Sequence, residues 1–147
     1  MEQLFIPVYR VALVREGEQS VSSKRLTTPE EVAAMVRQYL HDPDREVVVA
    51  LMLSTKQEII GINTVSIGIL DQSLVHPREV FKPALLMNAA AIILAHNHPS
   101  ADTTPSVEDR TVSLRIAEAG KVLGVELLDH LIIGPKSFTS LRAAGVL

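Results

Sequence analysis

The chain has 147 residues, of which 47% are hydrophobic and 21% charged, and its formal net charge is −3. That length suits one domain with a core of its own, read here as a single unit over residues 1–147, and the composition is that of an ordinary globular protein. The absence of cysteine excludes disulfides, thiolate nucleophiles, iron–sulfur clusters and sulfur-ligated zinc, and the weak acidity gives no general attraction to nucleic acid.

No apolar stretch reaches the ~20 residues that a bilayer span requires. The first residues, Met1 to Pro7, lack a basic region followed by an apolar one, so no secretory signal is expected and a cytoplasmic location is the default. Ile6 to Val14 is rich in apolar and β-branched residues and reads as a first strand, with Glu16-Gly17-Glu18 as a turn into a second extended piece, Gln19 to Ser23. Thr28, followed by Pro29, Glu30 and Glu31, marks a helix start, because a hydroxyl caps free amides and acids suit the positive end of the helix. Val32, Met35, Val36 and Tyr39 continue it at helical spacing, and Asp42-Pro43 ends it.

Glu46 to Leu53 is almost continuously apolar, as expected of a central strand covered on both faces. Ser54 to Gln57 reads as a turn and Glu58 to Ile69 as a partner strand, with Gly61 and Gly68 as bulge positions. Pro77 opens a second helix, Arg78 to Asn88, with Val80, Phe81, Leu85 and Leu86 as its buried stripe. Ala89 to Ala95 is a buried strand running into His96 to Pro105, a polar segment with two prolines that is expected to be a loop. Ser106 caps a third helix that carries Glu108 and Asp109 in its first turn and ends near Ala119-Gly120. Val125 to Ile133 is the last strand, closed by Gly134-Pro135. The order β-β-α-β-β-α-β-α-β predicts an α/β fold with a mixed sheet flanked by helices.

His96 and His98 flank one residue at a strand end, so an extended backbone turns both imidazoles to the same side. Asp109 follows eleven residues after His98, beyond a proline-restricted loop that can fold its carboxylate back to the pair. Two His and one carboxylate fit an open catalytic zinc site with water as fourth ligand, and water held there has a pKa near ~7 instead of ~15.7. A general base is still needed, and Glu46 at the start of the predicted central strand is the candidate, with Glu58 as the alternative. Ser106, three residues before Asp109, lies on the same side of the helix, where its hydroxyl can donate to a developing oxyanion in addition to capping. Among the remaining histidines, His130 beside Asp129 reads as structural or as a support for a ligand, and His41 and His76 as residues flanking helices. Asp102, Thr103 and Thr104 are expected to shape the loop, and Arg78, Lys82, Arg110 and Arg115 to be solvated helix charges.

At these residues the sequence resembles the JAMM pattern, an upstream Glu with His-x-His-Pro, a following Ser and, after two intervening residues, Asp. The ten residues between His98 and Asp109 keep the span of the pattern counted as His, ten residues and Asp. Pro77 to Phe81, Asn88 to Ser100 and Leu127 to Gly134 are similar to the RadC-like branch of these proteins, a resemblance covering roughly Glu46 to the C-terminus. Ala101 stands where that branch usually has Gly, and the helix-hairpin-helix region of longer RadC-like chains has no counterpart in these residues. The resemblance implies a JAB/MPN (cytidine-deaminase-like) architecture, one zinc ion per chain, and hydrolysis of a peptide or isopeptide-linked protein. A homo-oligomer is compatible with it, and no membrane partner is implied.

Two other functions compete with this reading. A DNA-processing role follows from the historical link of RadC-like proteins to repair and from the letters His-Asn-His, although HNH nucleases separate their motif residues along a metal finger. A non-catalytic metal-binding interaction module would keep the fold without turnover. A zinc deaminase needs cysteine ligands, and a His-Glu-x-x-His peptidase needs a motif that does not occur here.

Overall fold

The computed structural model describes residues 1–41, 43–68 and 75–147. Its elements are α1 (Pro29–Leu40), β1 (Val47–Leu53), β2 (Ile59–Ile67), α2 (Pro77–Leu86), β3 (Ala91–Asn97), α3 (Val107–Leu123), β4 (Glu126–Ile133) and β5 (Phe138–Ser140). They build a five-stranded sheet in the order β2-β1-β3-β4-β5, parallel only between β3 and β4, with α3 as the crossover. One face carries α1, whose Val32, Ala33, Met35 and Val36 pack on Val49, Leu51, Ala95, Leu131 and Ile133. The other carries α2 and α3, with Phe81, Ala84, Val112 and Ile116 against Ala50, Met52, Ile92 and Leu94. The mixed α/β architecture is the expected one.

β1 is buried from Val48 to Leu53 and hydrogen-bonded on both sides, which is why a continuous apolar run suits it. α1 starts as its sequence predicts, with Thr28 Oγ1 accepting from the Glu31 amide and Glu31 Oε2 accepting from the Thr27 amide. α3 has a complete capping box between Ser106 and Asp109 and runs past Gly120 to a left-handed cap at Gly124, where φ is 74°.

Several expectations are corrected. Ile6 to Val14 and Gln19 to Ser23 form no strands; the first regular element is α1, and the one pairing before it among the described residues is an isolated bridge from Arg25 to Glu58 at the outer edge of β2. An apolar, β-branched run makes a strand only where a neighbouring strand takes up its amides and carbonyls, and residues 6–14 have none among the described residues. In β2 the extra residues are Ile60 and Val65 rather than the glycines, because the pairing steps from Met52–Gly61 to Leu53–Ile59 and from Val48–Ser66 to Val49–Thr64. The buried stripe of α2 is Val80, Phe81 and Ala84, and Leu85 and Leu86 point away from it at 46% and 38% exposure. β3 does not stop at Ala95: His96 and Asn97 are strand residues, and the loop begins at His98. β5, missed in the sequence, closes the sheet beside β4. Asp42 and Ile69, the expected limits of α1 and β2, lie outside the described residues.

Candidate metal centre

The end of β3 brings its two histidines to the mouth of α3. His96 is fully buried, paired across the sheet with Val48 of β1 and Ile132 of β4, and His98 follows where the strand ends. The loop from Pro99 to Pro105 turns back so that Ser106 caps α3 and Asp109, three residues on, faces the imidazoles at 1% exposure. His96 Nε2 is 3.1 Å from Asp109 Oδ1, His98 Nε2 is 3.5 Å from Asp109 Oδ2, and the two Nε2 atoms are 3.1 Å apart. The structure thus brings together the three residues that the sequence nominated as metal ligands.

The donor set fits a divalent cation. His98 Nδ1 is 3.0 Å from the carbonyl oxygen of Asp102, which can only accept, so that nitrogen carries the ring proton and Nε2 is a bare lone pair. Burial pushes the Asp109 carboxyl up, but hydrogen bonding and charge from His96, with the contacts to Ser106, outweigh it and hold it at about 2. The Asp109 carboxylate and both Nε2 atoms therefore point at one place, where a proton on His96 Nε2 bridges to the carboxylate in the absence of a cation and a metal ion can take that proton's position. One ligand atom from each of the three residues lies within 4.8 Å of the others, close enough for all three to reach a single ion at ~2.0–2.1 Å.

Around this centre the supports are specific. His96 Nδ1 lies 2.7 Å from His130 Nε2, and His130 Nδ1 lies 2.5 Å from Ser113 Oγ. Burial holds the His130 ring neutral, its pKa well below the usual histidine range. Ser113 also donates to the Asp109 carbonyl oxygen at 2.6 Å. The carboxylate oxygen Oδ2 of Asp109 accepts from the Ser106 amide at 2.7 Å, and Ser106 Oγ accepts from the Asp109 amide, which leaves its own proton available for donation. Asp102 Oδ1 accepts from the Thr104 amide and Thr103 Oγ1 from Thr139, so the loop is tied to itself and to β5.

Glu46 immediately precedes β1. Val48 pairs antiparallel with His96, so Glu46, two residues earlier, lies across from His98, two residues later, half-buried at the same sheet end. Glu58 stands next to Ile59, which pairs with Leu53 at the far end of β1, five residues or roughly 17 Å along the sheet. Asn97 turns to the opposite face from its neighbours and clamps the backbone around Glu46: its Oδ1 accepts from the Val47 amide at 2.7 Å and its Nδ2 donates to the Arg45 carbonyl at 2.9 Å. A groove of about 210 Å³, bounded by Arg37, Leu40, Pro43, Ile133 and Pro135, opens beside His98. His41 and His76 flank helices as expected, His41 in a left-handed cap and His76 Nδ1 accepting from the Arg78 amide at 3.1 Å.

Ser113 and Asn97 carry roles that the sequence reading missed. Ser113 lies four residues after Asp109, hence on the same helical side, and that spacing was the available signal. Asn97 had none beyond standing between two histidines, since its partners are the start of β1 and Arg45 just before it.

Comparison with known proteins agrees with this arrangement. Residues 26–146 match the RadC-like JAB domain. A UPF0758 protein of Desulforamulus reducens is 50% identical over 119 residues, covering 81% of this chain and 52% of that relative. Others from Desulfitobacterium hafniense, 45% identical over 141 residues, and Moorella thermoacetica, 49% over 128, share 92% and 87% of this chain and 62% and 56% of their own length. The chain therefore spans between about half and two thirds of these relatives. Among the described residues no helix is long and apolar enough to cross a membrane. With most of its length matched and the His-His-Asp cluster assembled, the chain belongs to the RadC-like JAB domain family.

Proposed function

We propose that this chain is a zinc-dependent hydrolase of amide bonds, acting on a peptide or an isopeptide-linked protein. The observation that carries this reading is the convergence of His96 Nε2, His98 Nε2 and an Asp109 oxygen, all within 4.8 Å of one another. A zinc ion held there would supply Lewis acidity and bring the pKa of water to ~7. Glu46 takes the proton of the attacking water and passes it to the departing amine. Ser106 Oγ, already accepting from the Asp109 amide, donates its free proton to the carbonyl oxygen as negative charge develops on it. Asn97 keeps the backbone on both sides of Glu46 fixed, and the groove beside His98 gives the substrate chain a mostly apolar seat.

The test is Glu46→Gln in zinc-loaded protein, assayed on a panel of peptide and isopeptide substrates alongside elemental analysis. The expected outcome is one zinc per chain in both proteins and a rate lower in the variant by about 10²–10⁴-fold. Full activity in the variant removes Glu46 as the base, and a parent protein that takes up no zinc removes the hydrolase.

A further inference from the structure

The metal-facing lone pair of His96 is set from behind, by groups that do not touch the candidate metal position. Ser113 Oγ has one proton, and its 2.6 Å contact is with the Asp109 carbonyl oxygen, which can only accept. That proton is thereby committed. The 2.5 Å contact between Ser113 Oγ and His130 Nδ1 must then use a proton from the ring nitrogen. His130 is fully buried, with its ring nitrogens spent on Ser113 and His96, so it is neutral and a proton on Nδ1 leaves Nε2 bare. Across the 2.7 Å contact the donor has to be His96 Nδ1. A proton of His96 is thus fixed on Nδ1, which leaves Nε2, facing Asp109 Oδ1, as the nitrogen whose lone pair is free for a cation once one is present.

We propose that His130 and Ser113 are positioning residues that hold His96 in its metal-binding tautomer. The contacts close into a ring from the Asp109 carboxylate through His96, His130 and Ser113 to the Asp109 carbonyl oxygen, with one donor for each acceptor along the three bonds behind the metal position. Asp109 therefore acts twice, as ligand through its side chain and as tautomer anchor through its backbone. Without the Ser113 hydroxyl, His130 is free to move its proton to Nε2 and donate to His96 Nδ1. The proton of His96 then goes to Nε2, where a cation would have to displace it. The inference rests on the metal-site reading above, and its first test does not need the metal.

Protein labelled with ¹⁵N-histidine is examined by long-range ¹H–¹⁵N correlation, without metal and with zinc. The expected result is His130 protonated on Nδ1 and bare on Nε2 in both samples; a proton on Nε2 overturns the proposal even if zinc binds. The second test is zinc affinity by competition with a chelating dye. Ser113→Ala is expected to weaken binding by about 10–100-fold, the usual effect of losing the partner of a ligand, and Ser113→Thr, which keeps the hydroxyl, to recover most of it. Parent-like affinity in a folded Ser113→Ala protein also overturns the proposal. If that variant does not fold, the tautomer of the parent decides alone. If the parent takes up no zinc, the hydrolase reading falls, and the His130 tautomer still decides the relay.

Discussion

The N-terminal segment and the junction of β3 with α3 invert the usual sorting of residues. Leu4, Phe5, Ile6, Val8 and Tyr9 stand 82–94% exposed, whereas His96, Asp109, Ser113 and His130 are at most 1% exposed. Apolar side chains lie in water in one region and polar ones lie in the core in the other. The difference is partnership: the buried polar groups behind the metal position each have a complementary donor or acceptor, which removes the desolvation penalty, while among the described residues no strand lies beside the apolar segment. A buried polar cluster of this kind stands or falls as a unit, and an exposed arm can be altered piece by piece.

The largest effect expected from breaking the junction is that of Asp109→Asn. It removes one of three ligands, so zinc uptake measured by elemental analysis should be lost. It also changes the response to acid. The folded Asp109 carboxyl, at about 2, lies below its ordinary 3.8, so the stability it contributes is fully present above that ordinary value and is lost as pH falls through about 2. Melting curves of metal-free protein between pH 5 and pH 2 should therefore fall steeply for the parent and more gently for Asp109→Asn. Equal slopes would mean that the carboxylate is not held by His96 and Ser106 in solution.

Much of this junction was legible in the sequence because its signals are local. His-x-His on an extended backbone, a Ser cap three residues before an Asp, and a continuous apolar strand each depend on neighbours in the chain. What stayed hidden depends on distant partners. His96 and Asn97 looked too polar for a strand, yet β3 includes them because His130, Asp109 and the backbone at Arg45 and Val47 satisfy their side chains. β5 has three residues, too few for a period to show. Residues 6–14 failed in the opposite sense: the apolar and β-branched content was real, but nothing in the sequence says whether a second strand is in reach.

Asn97→Ala should cost less than Asp109→Asn and should separate positioning from ligation. It removes both bonds that clamp the chain around Glu46, from the half-buried Val47 amide and to the carbonyl of the exposed Arg45, a loss of about 1–3 kcal/mol for the two by chemical denaturation. None of the three ligands is touched, so zinc affinity should stay near that of the parent while turnover falls with the displaced base. If affinity drops as far as turnover, Asn97 supports β3 as a whole and not Glu46.

The smallest effect belongs to the arm. Deleting residues 2–12 removes side chains that are exposed throughout and leaves Leu13, which lines a groove with Asn63, Pro83 and Leu86, and Ser20, whose Oγ accepts from Gln38. The change in unfolding free energy should stay within about 0.5 kcal/mol, as for other surface changes away from packed features, and zinc affinity should not move. A larger loss that grows on dilution would show that a second copy of the chain covers this apolar run. A larger loss independent of concentration would show that the arm adds a strand to the outer edge of its own β2, continuing the single bridge that Arg25 makes with Glu58.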